Sequence, residues 1–133
     1  KAKRGGWGVL LRYRGHEKTL SGVVSDTSSN RLHIRSAIQG LQAIQKRSLI
    51  HLYTTSDYLK NGATRWIGIW RANDWRTREG KAVRHRDLWE KLASLSEMHQ
   101  ITWHVVGGEE MPDEMKRTKR LASEAVRTRE AQT

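Results

Sequence analysis

One stretch of the sequence combines basic and aromatic side chains in a way that suits binding to phosphates and bases. Trp66 and Trp70 are four residues apart, so on a helix they share one face, where their indole rings can line a groove. The tryptophans Trp66, Trp70 and Trp75 are interspersed with or followed by the basic residues Arg71, Arg76, Arg78, Lys81, Arg84 and Arg86. Guanidinium groups bind phosphate oxygens bidentately, and Tyr58 is a further candidate for the same surface. The alternative is that some of these rings, above all Trp66 and Trp89, belong to the core.

The overall charge points to the same kind of partner. Lys and Arg number 25 against 14 Asp and Glu, which gives a formal charge of +11 and a pI near 10.6. Such a protein attracts polyanions through steering and counterion release. The excess is concentrated in a basic N-terminal arm at 1–4 and in the segment 71–86, which we call the basic protrusion, whereas charges in 109–130 balance. Nucleic acid is therefore the expected partner, and no membrane partner is expected.

Several other chemistries have little support in the composition. The chain contains no Cys, which excludes disulfides and thiolate metal sites and suits an intracellular, reducing compartment. Its six His show no pair with the spacing of metal ligands. No apolar run has the length needed to cross a bilayer. The expectation is a protein without a cofactor.

The pattern of apolar residues predicts one α/β domain over 1–133, built as an α+β mixed sheet. Two strands at 7–13 and 18–25 form a hairpin, and a helix with apolar residues from Ile34 to Ile44 follows. A strand at 48–53, a helix from Ser56 or Asp57 to about Trp70, a helix at 87–98 and a strand at 100–106 come next. A C-terminal helix and tail occupy about 109–133, giving the order β-β-α-β-α-α-β-α.

Five segments, in order along the chain, carry a resemblance to a known family. They are GGWGVLLRYRGHEKTLSG at 5–22, TSSNRL at 27–32, TTSDYLKNGATRWIGIWRANDWRT at 54–77, VRHRDLWEKL at 83–92 and HQITWHVV at 99–106. Together they resemble type 1 ribonuclease H. The resemblance implies a five-stranded mixed sheet flanked by helices and an RNA/DNA hybrid as substrate. It also implies carboxylates that hold two Mg²⁺ ions, which activate water and stabilise the leaving oxygen.

The positions that the resemblance assigns to those carboxylates hold other residues. His33 replaces a glutamate, Thr55 replaces an aspartate, and the last aspartate falls at Thr118 or Lys119. The family's first strand and its aspartate would precede Gly5, so that strand is expected to be missing. Mg²⁺ requires oxygen ligands and negative charge, which His33 and Lys119 do not provide. The resulting hypothesis is a catalytically inactive module that uses magnesium only if its site is rebuilt or completed.

The resemblance also implies a phosphate pocket on the side of the DNA strand. Its hydroxyl corresponds to Ser28, which adjoins Asn30, and its asparagine corresponds to His85. The pocket would thus keep a hydrogen-bond donor while its second residue is changed. The alternative for Ser28 is simple capping of the following helix.

Three functions remain open at this point. The first is an inactive ribonuclease H-like module that binds RNA/DNA hybrid, double-stranded DNA or structured RNA through backbone contacts. The second is a structural subunit of a larger ribonucleoprotein, virion or reverse-transcriptase assembly. The third is a ribonuclease H completed by an upstream segment or a partner strand. A homodimer or a partner chain would supply the strand that is expected to be missing.

Overall fold

The strands of the structure, a computed structural model, form two separate pairs. The model describes residues 4–13, 16–25, 28–107, 113, 116–118 and 120–121. Strands β1 (Arg4–Tyr13) and β2 (His16–Ser25) pair antiparallel, and β3 (Leu49–Thr54) and β4 (Gln100–Val105) pair in parallel. Within these ranges each pair is a sheet of its own. The predicted hairpin is observed, and its first strand begins earlier than Trp7.

Two helices supply most of the core. Helix α1 (Ser29–Gln42) packs against β1 and against α4 (Arg86–Met98). The buried hydrophobic side chains on these helices are Ile34, Ala37, Ile38, Leu41, Leu88, Trp89, Leu92 and Ala93. On each helix they lie on one apolar face, with the helical spacing that the sequence pattern predicted. This packing holds the two sheets to the same core, which Ile50, Leu52 and Ile101 join from β3 and β4.

The helix predicted from Ser56 to Trp70 is divided into three parts. Helix α2 (Asp57–Asn61) is followed by a π-helical turn (Gly62–Trp66) and then by α3 (Ile67–Ala72). Ser56 caps α2 by accepting a hydrogen bond from the Leu59 amide at 3.0 Å. The π turn begins at Gly62, where the backbone passes so close to the ring of Trp89 that a Cβ atom would overlap it. A π turn inserts one residue into the helix, and here it occurs beside an aromatic contact that leaves room for glycine alone.

The basic protrusion leaves α3 through a tight corner. Asp74 and Trp75 both have positive φ, at 53° and 58°, and His85 at the other end has a φ of 62°. Between them Arg76 and Ala82 form an isolated antiparallel bridge. The segment is therefore a short folded-back loop.

The C-terminal region is described in part. Asp113, residues 116–118 and residues 120–121 are helical, as predicted, and the rest of the predicted C-terminal helix and tail lies outside the described residues. Residues 1–3 of the basic arm also lie outside them. Among the residues described, no helix is both long and apolar enough to span a membrane.

We predict that Gly62→Ala lowers the free energy of unfolding by about 1 to 3 kcal/mol, because the added methyl group overpacks the site at Trp89. Gly68→Ala is the matched control, since a Cβ at this exposed helical position meets no atom within 4 Å. That control gains up to about 1 kcal/mol from the restricted backbone. Urea unfolding measures both changes. Equal stability of the two variants would contradict the packing described for Gly62.

Candidate nucleic-acid interface

Four aromatic rings form a continuous row above the buried indole of Trp89. Tyr58 contacts Trp66 edge to face with centroids 5.4 Å apart, Trp66 lies 5.9 Å from Trp70, and Trp70 lies 6.2 Å from Trp75. Trp89 contacts the row at Trp70 and Tyr58, with centroids 5.6 Å and 5.5 Å away. The row thus follows α2, the π turn, α3 and the corner of the basic protrusion.

The tryptophans divide between core and surface. Trp89 is fully buried, as the alternative considered for it proposed. Trp66, for which both the binding surface and the core were left open, is only half-buried, whereas Trp70 and Trp75 pack partly buried against the core. The extra residue of the π turn rotates the residues beyond Gly62 relative to Trp89. This rotation offers a reason for the different positions of Trp66 and Trp70.

A shallow groove lies between α3 and the basic protrusion. It has a volume of about 480 Å³ and is lined by Ile69, Trp70, Asn73, Arg76, Thr77, Arg78 and Glu79. Ile69 is 59% exposed, which is high for a large apolar side chain. An apolar floor with arginines at the edge suits a ligand that has both flat apolar rings and phosphates.

The six basic residues of the protrusion are all exposed, but they differ in what they contact. Arg71 pairs with Glu97 at 2.6 Å, and Arg86 pairs with Glu90 while its guanidinium lies 6.0 Å from the Trp75 ring centre. Arg76 donates to the Gly80 carbonyl at 3.1 Å and so holds the loop together. Arg78, Lys81 and Arg84 have no carboxylate partner in the described part of the chain. These three are the charges most open to a phosphate.

Ser28 and His85, which were assigned to the phosphate pocket, are linked by Arg31, a residue that the sequence hypothesis missed. Ser28 caps α1 and accepts a hydrogen bond from the Arg31 amide at 3.3 Å. The Arg31 guanidinium reaches His85 Nδ1 at 3.0 Å and the Asp87 carboxylate at 2.9 Å. Asn30 is exposed on the first turn of α1. The one available signal for Arg31 was its place three residues after a capping serine.

The charges in this pocket influence one another. The hydrogen bond from Arg31 lowers the pKa of Asp87 below its ordinary 3.8 and raises the pKa of Arg31. Partial burial, followed by the nearby charges of Arg31 and Arg84, lowers the pKa of His85 below 6.5. Arg31 can donate to Nδ1 only while His85 is neutral, because a protonated imidazole has no acceptor.

The positions assigned to lost metal ligands lie on three different elements. His33 is half-buried on α1, Thr55 follows β3, and Thr118 belongs to the partly described C-terminal region. Lys119 lies outside the described residues. Asp57, two positions beyond Thr55, is exposed in the first turn of α2, where Ser56 is the cap. Across the ranges given above, no group of three or more His, Cys, Asp or Glu could hold a metal ion.

Comparison with known proteins settles the family. The sequence profile of the RNase H family matches residues 1–127. This chain belongs to the ribonuclease H family. The ribonuclease H of Alkalilimnicola ehrlichii is 41% identical over 122 residues, which cover 92% of this chain and 84% of that protein. The ribonuclease H of Hydrogenovibrio crunogenus is 42% identical over the same length, with the same coverage of both proteins.

Solved structures show the same fold. The crystal structure of LC9-RNase H1, described as a type 1 RNase H with the type 2 active-site motif, superposes with a TM-score of 0.79 at 27% identity. The match covers 92% of this chain and 62% of that one. A foamy viral protease-reverse transcriptase in complex with RNA/DNA hybrid gives a TM-score of 0.66 at 15% identity, covering 93% of this chain and 20% of that one. The predicted ribonuclease H-like fold is confirmed.

These relatives overturn the hypothesis of an inactive, non-enzymatic module. That hypothesis relied on the residues found at His33, Thr55 and either Thr118 or Lys119. The relatives that match 92% of the chain at 41% and 42% identity carry the name Ribonuclease H, which is the name of an enzyme. The substituted positions thus show where carboxylates are absent, and they did not justify excluding activity.

We predict that protonation of His85 destabilises the fold as the pH falls. Because its folded-state pKa lies below 6.5, the unfolded chain binds the proton more readily. Stability is therefore lost as the pH drops through about 6.5 towards the folded-state pKa. His85→Asn removes this dependence, and asparagine tolerates the left-handed backbone. Denaturant unfolding between about pH 7 and pH 5, above the range where Asp87 titrates, measures the slope.

Ser28→Ala serves as the control for this experiment. It lowers stability by about 0.5 to 2 kcal/mol through loss of the helix cap, yet it retains His85 and therefore the slope of the wild type. A His85→Asn variant with an unchanged slope would show that the Arg31 contact does not bias this imidazole towards its neutral form.

Proposed function

We propose that this chain functions as a ribonuclease H that hydrolyses the RNA strand of an RNA/DNA hybrid. The observation that carries the proposal is its identity of 41% and 42%, over 92% of the chain, to proteins named Ribonuclease H. The surface described above supports it, because the row of aromatic rings continues into the protrusion at Trp75 and Trp70 lines one groove with Arg76 and Arg78. The foamy viral enzyme of the same fold is complexed with such a hybrid.

We assign two contact regions for the hybrid. The first comprises Tyr58, Trp66, Trp70 and Trp75 with the basic residues Arg71, Arg76, Arg78, Lys81, Arg84 and Arg86. The second is the pocket around Ser28, Asn30 and His85. In the first region, cations meet phosphates while the exposed edges of the rings contact the sugars and bases. Contacts of this kind depend on the shape of the duplex more than on its sequence.

The described residues do not fit the two Mg²⁺ ions that the family implies. His33, Thr55 and Thr118 offer one imidazole and two hydroxyls, whereas Mg²⁺ is bound through carboxylates and water. We therefore propose that carboxylates from outside the described residues complete the site. Glu109 and Glu110 are the candidates in this chain, and a segment of the natural protein beyond this sequence is the other source.

We predict that the natural protein cuts the labelled RNA strand of a hybrid when Mg²⁺ is present and stops when the ion is chelated. His33→Glu combined with Thr55→Asp supplies carboxylates at two ligand positions, so cleavage should reach half its maximum at a lower Mg²⁺ concentration, by about tenfold. The matched control is His33→Gln with Thr55→Asn, which changes the same positions without adding charge. An RNA strand that stays intact in a bound hybrid would refute the proposed activity.

We also predict that Arg78→Glu with Arg84→Glu weakens binding to duplexes of any sequence. Each lost phosphate contact flattens the slope of log affinity against log salt by about 0.9 on duplex DNA, so two contacts flatten it by about 1.8. The control is Lys46→Glu with Arg47→Glu, an equal charge change at exposed residues before β3. Fluorescence anisotropy at several salt concentrations measures both slopes. Equal losses in the two variants would remove the protrusion as the contact surface.

A further inference from the structure

Two histidines that are far apart in the sequence meet on the outer face of the β3–β4 sheet. His51 lies on β3 opposite Thr102 and His104 lies on β4 opposite Tyr53, so the parallel register places the two histidines two residues out of line. His51 Nδ1 and His104 Nε2 are 2.9 Å apart, and the two rings are inclined by only 28°. The pair was not predictable from the sequence, because the two histidines are 53 positions apart, beyond any ligand spacing that a motif would show.

The surroundings of the pair orient one ring and leave the other accessible. Tyr53 stacks on His104 with centroids 4.5 Å apart and planes within 14°. Tyr53 is itself 50% exposed, and Leu49 on the same face of β3 is 77% exposed. His51 is exposed, so solvent and small ions reach the contact between the two rings.

The separation of the two nitrogens is close to that of neighbouring ligands on a metal ion. Imidazole nitrogens bind Zn²⁺ at about 2.0 to 2.1 Å, which places two adjacent ligands of a tetrahedral ion about 3.3 Å apart. In the structure the two ring nitrogens share a hydrogen bond, in which the tautomers decide which ring donates. A modest turn of each ring about its Cβ–Cγ bond directs both lone pairs to one ion in place of the shared proton.

We propose that His51 and His104 form a binding site for a borderline divalent transition-metal ion, with Zn²⁺ as its representative. Imidazole is a preferred ligand for Zn²⁺, Cu²⁺ and Ni²⁺ and a poor one for Mg²⁺. Without any Cys in the chain, no thiolate competes for the ion. Because no third His, Cys, Asp or Glu joins the pair within the described ranges, water fills the remaining positions and the ion stays exchangeable. The site is separate from hybrid cleavage and does not depend on the proposed function.

Isothermal titration of the purified chain with ZnCl₂ tests the site. We expect His51→Ala and His104→Ala each to weaken Zn²⁺ binding by about tenfold, since one imidazole cannot chelate, which corresponds to about 1.4 kcal/mol. His85→Ala is the control and should leave the affinity unchanged, because His85 already contacts Arg31. Unchanged affinity in both pair variants, or an equal loss in the control, would overturn the proposal.

A second measurement on the wild-type protein avoids any effect of substitution on folding. Sub-stoichiometric Ni²⁺ should broaden the imidazole NMR signals of His51 and His104 before those of the other four histidines, because the ion is paramagnetic. Mg²⁺ should leave these signals unchanged. First broadening at another histidine would place the metal elsewhere and refute the pair.

Discussion

The contact between the Trp89 ring and the Gly62 backbone is the constraint on which the rest of the molecule depends. Trp89 is fully buried on α4, and it touches Gly62 at the start of the π turn as well as the rings of Tyr58 and Trp70. Its indole N–H has no hydrogen-bond partner in the described structure, which costs about 1 to 3 kcal/mol. Burial of so large a ring outweighs that cost. One side chain thereby joins the core to the row of rings at the surface.

Local patterns sufficed for most of the elements. The hairpin, α1, β3, α4 and β4 were predictable because their apolar residues recur with the period of a strand or a helix. The π turn was not predictable, because it lies beside a contact between Gly62 and Trp89, which are 27 positions apart by their numbers. The same contact bears on Trp66 and Trp70, because helical spacing alone cannot tell which of two residues on one face lies deeper.

The candidate site was likewise predictable only where its residues are close together in the sequence. The basic protrusion was visible in the sequence because its residues are adjacent, whereas the contacts of Arg31 with His85 and of His51 with His104 span more than 50 residues. Function was misjudged for a related reason. Substitutions at His33 and Thr55 describe the charge at those two places, while a metal centre draws ligands from several elements. Similarity along the whole chain contains information that a few altered positions do not.

Under the proposed function, the corner at Asp74 and Trp75 has a consequence for how this surface distinguishes one duplex from another. Two consecutive non-glycine residues with positive φ are unfavourable, and hydrogen bonds from the Trp75 amide to the Trp70 carbonyl and from the Val83 amide to the Trp75 carbonyl fix them in place. The conformational entropy of the loop is therefore lost during folding and not on binding. A surface that is rigid before binding cannot adjust the spacing of its contact groups to a ligand. The groove width of the duplex then decides how well it fits, so this surface distinguishes A-like helices from B-like helices.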